Sequence, residues 1–487
     1  MKKLLTACCI IAFLNTSAQI KNPGFDLKND TLATMPANWT FKPANAFTIA
    51  IDESVKHSGS GALKLHNAAG SSSYSMFWQP LDIASSKLKI IRFSAFIKEG
   101  STNTSVALYC QVKDKDGVII SMQRSDSPAV PLQSDGSWVK YTLPVVINST
   151  AKKILIGGYL FGEGTAWFDD YLMEDVPFDN SPPSKEVKQF VSEFTGLIKK
   201  HSIYTKKLNW PAIDSAVSKL SGGLKTTDDA QLLTGYIMSQ LRAAGDNHSF
   251  LQSKVNAVSY SKQNDDPRQP TAKLLPGNIG YVWMPGFGST SDTASTAFAT
   301  KTQKLIYELD TQNQIAGWIV DLRHDNGGNM HPMIAGLGPI IGEGTLGFFI
   351  SPENGKSDAW AYKNGKVTVN NGVTAKVLSP YVTKRPGLKI AVLTGHETAS
   401  SGEMTALCFV GKPNAKLFGT ATGGFTTANA GFKLSTGAYL YLANNYTADR
   451  NKKQYLGKIT PDVVINDTAE KDDDATIKAA TAWIQEK

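Results

Sequence analysis

A serine with the surroundings of a nucleophile occurs in the run Thr398-Ala399-Ser400-Ser401-Gly402-Glu403. The apolar stretch from Lys389 to Leu393 before it predicts a buried strand, and the residues from Glu403 to Val410 predict a helix. A hydroxyl group at such a junction can face a cleft, where free amides at the start of the helix stabilise a developing oxyanion. Ser-x-x-Glu before an apolar run is also the pattern of a capping box, and the local sequence by itself favours capping.

Paired glycines follow a second apolar stretch, in the run Asp321-Leu322-Arg323-His324-Asp325-Asn326-Gly327-Gly328. Glycine lets backbone amides approach a ligand closely. We therefore expect Gly327, with Gly328 as the alternative, to supply one donor of an oxyanion hole and the amide of Ser401 to supply the other. A plain strand-to-helix turn would account for the same residues.

A nucleophilic serine needs a base, and the chain has seven histidines. His248 stands in the polar run Gly245-Asp246-Asn247-His248-Ser249-Phe250 after a predicted helix, and His396 shares the tight turn of Ser400. His324 and His331 flank the glycine pair, but no carboxylate or further histidine has the spacing of a metal site. Neither a metal nor an organic cofactor is expected. A lone histidine is more often structural than catalytic, so the residues alone do not select the base.

Two periodicities divide the chain into several domains. Residues 20–176 alternate apolar and polar positions in short runs, which predicts an antiparallel β-sandwich. Residues 184–252 carry apolar side chains at helical spacing and predict a helical cap of three helices. Residues 270–487 alternate apolar strands with helices and predict an α/β core. The expected core strands are Ile279–Trp283, Trp318–Leu322 and Lys389–Leu393.

The predicted sandwich begins with Asn22-Pro23-Gly24-Phe25 and ends near Gly164–Asp170, and these ends resemble those of carbohydrate-binding jelly rolls. A glycan is therefore a candidate ligand of this domain. Trp39 and Trp78 could stack on sugar rings, although packing is the simpler role for both. Asp169 and Asp170 are expected to end a strand rather than to join a calcium site.

The N-terminus has the pattern of a signal peptide at residues 1–19. Basic residues Lys2 and Lys3 precede a short apolar stretch, and small residues lead to an expected cleavage after Ala18 or Gln19. We expect a secreted or periplasmic protein. No later segment is long and apolar enough to predict a membrane span.

Cysteine usage and charge exclude two further classes. Cys110 and Cys408, which lie outside the signal, fall in different predicted domains, so we expect two buried thiols rather than a disulfide framework. The formal net charge of +8 comes from scattered lysines that do not cluster beside aromatic residues. The sequence therefore does not indicate binding to nucleic acid.

In combination, these motifs resemble the tail-specific, or C-terminal-processing, serine peptidase family. The matching parts are Asp321-Leu322-Arg323 with the glycine pair, Thr398-Ala399-Ser400-x-x-Glu403, and Ile459-x-Pro461-Asp462. The run Gly245–Phe250 is similar to the histidine motif of the tricorn-like branch. The resemblance extends from about Lys185 to the C-terminus, and it implies a peptidase core of the ClpP/crotonase type with Ser400 as nucleophile.

One departure from the family pattern bears on the mechanism. Many members use a Ser-Lys dyad, but the corresponding stretch here has Phe425 where the lysine would stand. The tricorn-like branch instead implies a Ser-His mechanism through His248. Asp246, Asn247 and Asp449 are candidates for orienting the imidazole. Only about thirty residues separate Phe250 from Ile279, too few for the family's internal peptide-binding (PDZ) domain.

The resemblance implies a secreted serine endopeptidase that cuts peptides or proteins near their C-termini. Two alternatives come from other functional classes. A non-catalytic peptide- or glycan-binding protein could retain the fold without turnover, and an esterase could use the same serine. Labelling of Ser400 by a fluorophosphonate separates catalysis from binding, and the choice between ester and peptide substrates separates the two hydrolases.

Overall fold

The computed structural model describes residues 20–30, 34–42, 47–68, 74–83, 87–100, 105–125, 136–254, 256–258, 268–466 and 474–486. The predicted signal peptide, residues 1–19, lies outside them. The chain divides into two compact units: residues up to 192 with 208–244, and residues 193–207 with 245–487. Within the described ranges, no helix combines the length and the apolar character that a membrane crossing requires.

The first unit contains two antiparallel sheets, with the strand orders β1-β4-β9-β6-β7 and β2-β3-β10-β5-β8. Apolar side chains of both sheets share one core, as Leu65 and Phe93 do with Phe77 and Ile156. This packing is consistent with the predicted β-sandwich. The strands are β1 (Thr40–Lys42), β2 (Phe47–Asp52), β3 (Ala62–Asn67), β4 (Tyr74–Asp82), β5 (Lys89–Glu99), β6 (Ser105–Lys113), β7 (Ile119–Arg124), β8 (Trp138–Ile147), β9 (Lys153–Phe161) and β10 (Gly164–Val176).

Two expectations about single residues of the sandwich have opposite outcomes. Trp39 is buried against Phe25 and Tyr171, which confirms its packing role. The expectation that Asp169 and Asp170 end a strand is wrong, because β10 continues through a bulge to Val176. Their carboxylates accept hydrogen bonds from the neighbouring loop at residues 57–58, which holds the bulge in place.

The three predicted helices between residues 184 and 252 are present. They are α1 (Lys185–His201), α2 (Trp210–Leu220) and α3 (Gln231–Ala243). The side chain of Asn209 caps α2 by accepting from the amide of Ala212, and a proline stands in the first turn of that helix. Within the first unit, α3 packs against β7 and β8 of the sandwich.

The second unit contains the sheet that the α/β pattern predicts, in the order β12-β13-β14-β19-β20-β24. Its strands are parallel except β12. Helices α4 and α5 cover one face, and α7 packs against the other through Ala480 and Ile484. The elements are β12 (Thr271–Leu275), β13 (Ile279–Trp283), α4 (Asp292–Gln312), β14 (Gly317–Asp321), α5 (Met330–Ile341), β19 (Lys389–Thr394), α6 (Ser401–Leu407), β20 (Ala415–Gly419), β24 (Val463–Val464) and α7 (Ala475–Gln485).

A further sheet of this unit, which the sequence did not reveal, has the order β11-β22-β15-β16-β17-β18. Two more strands, β21 and β23, also pair with β22. The strands are β11 (Phe250–Gln252), β15 (Gly344–Ile350), β16 (Ser357–Lys363), β17 (Lys366–Val369), β18 (Gly372–Lys376), β21 (Ala428–Lys433), β22 (Tyr439–Asp449) and β23 (Gln454–Tyr455). This sheet positions His248, which precedes β11.

The helix that follows Ser400 is shorter than predicted. Helix α6 begins at Ser401 and ends at Leu407, whereas the apolar run had suggested a helix to Val410. The guanidinium group of Arg450 donates to the carbonyls of Cys408 and Val410, so these groups find partners outside a helix. Cys408 and Cys110 are buried free thiols, as expected.

Candidate active site

The candidate site lies where two parallel strands of the α/β sheet end side by side. Strands β14 and β19 are neighbours in register, so the loops that follow them start at the same edge of the sheet. The first loop carries Gly327 and Gly328, and the second leads to Ser400. A Cβ atom added to Gly327 would lie 2.9 Å from Cβ of Ser400. The two motifs that the sequence singled out are therefore in direct contact.

The second sheet of the unit brings His248 to this edge. The residue precedes β11, which pairs with one side of β22, while β21 pairs with the other side. Asp246 folds the loop by accepting from the amides of His248 and Ser249, at 3.1 and 2.9 Å. The side chain of Asn429 on β21 donates to the carbonyl of His248 at 2.9 Å. The histidine backbone is thus held from both sides.

Ser400 has a strained backbone and a hydroxyl group that faces the imidazole. Its φ and ψ are 53° and −118°, in the left-handed half of the map that non-glycine residues rarely occupy. Its Oγ lies 2.9 Å from Nε2 of His248. Its amide donates to Oε2 of Glu403 at 2.9 Å, so Glu403 reaches back to the cap as a capping box requires. Backbone strain of this kind is typical of functional positions.

The hydrogen bonds of His248 assign its tautomer. Nδ1 lies 2.9 Å from Oγ1 of Thr427, and Nε2 lies 2.9 Å from Oγ of Ser400. The ring also has a hydrogen bond to the backbone of Thr427, whose carbonyl can only accept, and this favours a proton on Nδ1 and leaves Nε2 to accept the serine proton. Burial lowers the pKa of His248 to about 4, and a hydrogen bond to the backbone of Thr427 offsets this only in part. The ring is therefore neutral at neutral pH.

None of the three candidates for orienting the imidazole has a described contact with the ring. Asp246 accepts from backbone amides of its own loop instead. Asp449 is buried at the end of β22 and accepts from the hydroxyl group of Tyr455 at 2.9 Å. Asn247 is exposed. Thr427 has the orienting position, and sequence analysis missed it because a threonine among other polar residues carries no chemical signature of its own.

The two glycines differ as oxyanion donors. The amide of Gly327 donates to Oδ1 of Asp325 at 3.1 Å, and its carbonyl accepts from the amide of Phe287 at 3.1 Å. Because N–H and C=O point in opposite directions across a trans peptide, the amide of Gly328 points away from Phe287. Gly328 lines the cleft, and its carbonyl accepts from Oγ of Ser401 at 2.6 Å. The amide of Ser401 opens α6 and has no intrahelical acceptor.

Asp325 and Glu403, which have buried carboxyl groups, hold the backbone around Ser400 through hydrogen bonds. Asp325 is fully buried, and its backbone carbonyl accepts from the amide of Ala399 at 3.0 Å, which ties the glycine loop to the serine loop. Burial raises the pKa of Asp325 to about 8. Glu403 is also fully buried and accepts from the amides of Ser400, Gly424 and Phe425. Burial raises the pKa of Glu403, and these hydrogen bonds oppose the increase.

The other histidines near these motifs have different partners. His324 lies 2.7 Å from a carboxylate oxygen of Glu397, and His396 lies 3.8 Å from the same residue. The Nδ1 atom of His331 lies 3.0 Å from Oγ1 of Thr374. Among the residues that the structure describes, no cluster of histidine, cysteine and carboxylate side chains could hold a metal ion.

The Ser400–His248 pair opens into a cleft of about 780 Å³. Its walls come from the loop that carries Gly328, the start of α5, the loop that leads to Ser400, and the strands β11, β21 and β22. The size is that of a site for a segment of peptide or a small organic molecule. A nucleophile, a neutral base and two backbone amides at one such cleft can carry out acyl transfer.

Comparison with known proteins agrees with this chemistry. Residues 278–465 match the model of peptidase family S41. The chain is also 31% identical over 237 residues to the nisin-resistance protein of Lactococcus lactis subsp. lactis, covering 47% of this chain and 69% of that protein. The chain belongs to peptidase family S41. The family assignment makes it a serine-type peptidase of the C-terminal-processing type, with a peptide or protein as substrate.

Solved structures resemble the S41 peptidase over more than half of its length. A lipoprotein from Streptococcus agalactiae is 26% identical, with a TM-score of 0.50, and the match covers 62% of this chain and 96% of that one. The photosystem II D1 C-terminal processing protease is 13% identical, with a TM-score of 0.39 and coverage of 58% and 93%.

Phe425 occupies the position at which the sequence motif of many relatives has a lysine. In this S41 peptidase its ring packs edge-on against the imidazole of His248, with the centroids 5.7 Å apart. Among the described residues that line the cleft, none is a lysine. The phenylalanine thus contributes to the burial that lowers the pKa of His248.

Proposed function

We propose that this S41 peptidase is an exported endopeptidase that hydrolyses peptide bonds by a Ser400–His248 mechanism. The observation that carries the proposal is the 2.9 Å contact between Oγ of Ser400 and Nε2 of His248, with the hydroxyl group of Thr427 as the partner of Nδ1. Geometry within hydrogen-bond reach is the first requirement for a general base, and a neutral imidazole meets the second.

In the first half-reaction, Nε2 of His248 accepts the proton of Ser400 as Oγ attacks the carbonyl carbon of the substrate. The resulting imidazolium can donate from Nδ1 to the hydroxyl group of Thr427, and a hydrogen bond to the backbone of Thr427 opposes the low pKa of the ring. Collapse of the tetrahedral intermediate passes that proton to the leaving amine, and an acyl-enzyme forms. Water then attacks the ester, with His248 again accepting a proton, and Ser400 is regenerated.

The negative charge of each tetrahedral intermediate would be held by the amides of Ser401 and Gly328. The Gly328 amide is favoured over that of Gly327, since the latter already donates to the carboxyl group of Asp325. The hydroxyl group of Ser401 fastens the carbonyl of Gly328 and so supports the turn. Loss of one donor of this kind typically lowers kcat by about 10²–10³-fold.

Export and docking complete the proposal. The predicted signal peptide favours a location outside the cytoplasm, and so does the similarity to a protein described as a lipoprotein.

For the sandwich we propose a glycan ligand on the outer face of the β4-β9-β6-β7 sheet. There Tyr159 and the exposed ring of Phe161 lie in a cleft of about 450 Å³ beside Gln111 and Arg124. The guanidinium group of Arg124 lies over the ring of Tyr159, 5.4 Å from its centroid, so the exposed ring of Phe161 and the amide of Gln111 are the groups that a sugar would contact.

A fluorophosphonate probe and a peptide substrate test the catalytic proposal together. We expect the purified protein to be labelled at Ser400, and both labelling and turnover to be lost in Ser400→Ala. His248→Ala should lose turnover by at least about 10³-fold while keeping its circular dichroism spectrum. Full turnover by His248→Ala would refute the base, and cleavage of esters but never of peptides would favour an esterase.

The glycan proposal is tested by affinity electrophoresis of the full protein in gels that contain soluble polysaccharides. Retardation that is lost in Phe161→Ala supports it, and Trp39→Phe serves as a control because Trp39 is buried in the core. Equal mobility in all polysaccharides tested would contradict it.

A further inference from the structure

The cleft around Ser400 has an uncharged lining. Among its described lining residues there is no carboxylate, ammonium or guanidinium group. The polar side chains are carboxamides and hydroxyl groups, and the apolar ones are aromatic rings, methionines and alanines. The carboxamide residues are Gln252, Asn326, Asn329, Asn429, Asn444 and Asn445.

The two histidines of the lining are uncharged as well. Burial lowers the pKa of His331 to about 4, as it does for His248. The hydroxyl group of Thr374 lies 3.2 Å from the carbonyl of Val367, to which it can donate, and 3.0 Å from Nδ1 of His331. Donation to the carbonyl leaves the Thr374 oxygen to accept from Nδ1–H, so Nε2 of His331 is a neutral acceptor.

A β-bulge turns additional carboxamides toward the cleft. The register of β21 and β22 shifts between Ala428 and Asn429, which pair with Asn445 and Ala443 and leave Asn444 between them. Both Asn444 and Asn445 consequently line the cleft. A bulge of this kind commonly re-aims side chains beside an active site.

One lining carboxamide has spare hydrogen-bonding capacity. Nδ2 of Asn429 donates to the carbonyl of His248, whereas its Oδ1 is buried with no partner among the described residues. A carboxamide can donate to and accept from a peptide backbone, but it offers only a dipole to a charged group. The guanidinium group of Arg268, which lies outside the lining, donates to Oδ1 of Asn326 at 2.8 Å.

We propose that the cleft takes an internal, uncharged segment of extended peptide and does not read the terminal carboxylate of its substrate. This inference rests on the proposed peptidase function and specifies its substrate class. A charged side chain that entered the cleft would lose its water without gaining a partner of opposite charge. For the same reason, a free α-carboxylate would meet no cationic side chain among the described lining residues.

Carboxamides suit uncharged peptide segments because they match the backbone. Each peptide unit presents one N–H and one C=O, and the asparagine side chains can satisfy either group. The aromatic rings of Phe250, Phe349 and Tyr441 offer apolar contact area between them. The substrate class is therefore a peptide with small polar or apolar side chains on both sides of the scissile bond.

Matched fluorogenic peptides test the inference with the full-length protein. One pair has the same sequence with either a free acid or a carboxamide at its C-terminus, and a second series introduces Asp or Lys on either side of the scissile bond. We expect kcat/KM of the acid and the amide to agree within about threefold, and either charge to lower kcat/KM by at least about tenfold. A tenfold preference for the free acid, or for one sign of charge, would overturn the inference.

A charge-introducing variant gives a second readout. In Asn445→Asp we expect the ratio of kcat/KM for a Lys-containing peptide to that for the neutral peptide to rise about tenfold, because the new carboxylate supplies the missing partner. Asn445→Gln is the matched control and should keep the ratio of the unmodified protein. An unchanged ratio in Asn445→Asp across the Lys series would overturn the role of Asn445. These outcomes concern ratios among cleaved peptides, whereas failure of the peptidase proposal would leave every peptide intact and Ser400 unlabelled.

Discussion

The hydroxyl group of Thr427 lies 2.9 Å from Nδ1 of His248, on the imidazole edge opposite to the contact with Ser400. An uncharged hydroxyl group therefore stands where many serine hydrolases have a carboxylate. Unlike a carboxylate, which only accepts, a hydroxyl group can either accept from Nδ1 or donate to it, and it stabilises the imidazolium less because it carries no charge. Burial lowers the pKa of His248 to about 4, and this hydroxyl group adds no charge that would oppose the decrease.

Thr427→Val removes this acceptor and retains the shape of the side chain. We expect kcat to fall about tenfold, which corresponds to the loss of one neutral hydrogen bond of ~1.5 kcal/mol. Thr427→Ser keeps the hydroxyl group and should retain activity within a factor of about three. Steady-state kinetics on one peptide at pH 7.5 measures kcat of both variants. Equal kcat values for Thr427→Val and the unmodified protein would show that the bond does not orient the base.

The pH dependence of kcat/KM reports the protonation of His248. The proposed mechanism needs the neutral form of His248, so activity should fall only as the pH drops through about 4, rather than through the ordinary histidine value near 6.5. The hydrogen bond that favours the protonated ring is made with the backbone of Thr427, which Thr427→Val retains, so this acid limb should stay near pH 4 in that variant. Circular dichroism at each pH separates titration from unfolding. An acid limb near pH 6.5 would contradict the burial of the imidazole.

The buried strands of the α/β sheet were predictable because their sequences are continuous apolar runs, as Ile279–Trp283 illustrates. The helices α1 to α3 were predictable from their 3.6-residue periodicity. The second sheet of the same unit was not predicted, because the pairings of β22 with β11 and β15, which join its local hairpins, connect distant parts of the chain. His248 and Thr427 meet across 179 positions.

Within the candidate site, the sequence indicated Ser400 as a candidate nucleophile and the turn with two glycines. It could not decide which glycine amide would donate to the oxyanion. Gly327 and Gly328 are equivalent by composition. Only the hydrogen bond from Gly327 to Asp325 separates them. The acceptor of that bond, Asp325, is buried. Its burial was not predicted, because it lies in a loop of polar residues.

The raised pKa of Asp325 predicts that activity falls at alkaline pH. Burial raises its pKa to about 8, so the carboxyl group is neutral at lower pH and becomes negative as the pH rises through 8. A negative charge beside the amide of Gly327 would oppose a developing oxyanion, and Arg268 offsets that charge only in part. We expect kcat to fall above pH 8 in the unmodified protein and to stay level in Asp325→Asn, which keeps an acceptor for Gly327. A fall in both proteins would assign the limit to another group.

The same substitution should affect stability in a pH-dependent way. The unfolded carboxyl group ionises near pH 4, whereas the folded one stays protonated to about pH 8. The folded state therefore binds the extra proton, and its stability falls as the pH rises from 4 to 8. Asp325→Asn lacks this titration, so its Tm relative to the unmodified protein should increase between pH 5 and pH 8. Differential scanning calorimetry at both pH values checks the sign.

Ser401→Ala probes the support of the proposed oxyanion hole. It removes the 2.6 Å bond from Oγ to the carbonyl of Gly328 without touching the amide of Ser401 itself. A looser turn presents the Gly328 amide less well in the transition state, so we expect kcat to fall about tenfold with KM within a factor of two. A change confined to KM would place the bond in substrate binding instead.

Glu403 should be the most sensitive support of the nucleophile. Its Oε2 accepts from the amides of Ser400 and Phe425 at 2.9 and 2.7 Å, and its Oε1 accepts from Gly424 and Thr422. Glu403→Gln would turn an NH₂ group toward two of these donors and leave them unsatisfied in a buried site.

We expect Glu403→Gln to lower the free energy of unfolding by about 3 kcal/mol, since each unsatisfied buried donor costs about 1–3 kcal/mol. Urea denaturation followed by tryptophan fluorescence measures this change. Glu397→Gln, an exposed substitution on the preceding turn, is the matched control and should stay within about 0.5 kcal/mol of the unmodified protein. If the two variants were equally stable, the four bonds of Glu403 would contribute nothing to folding, and the strained backbone of Ser400 would have to be held by α6 alone.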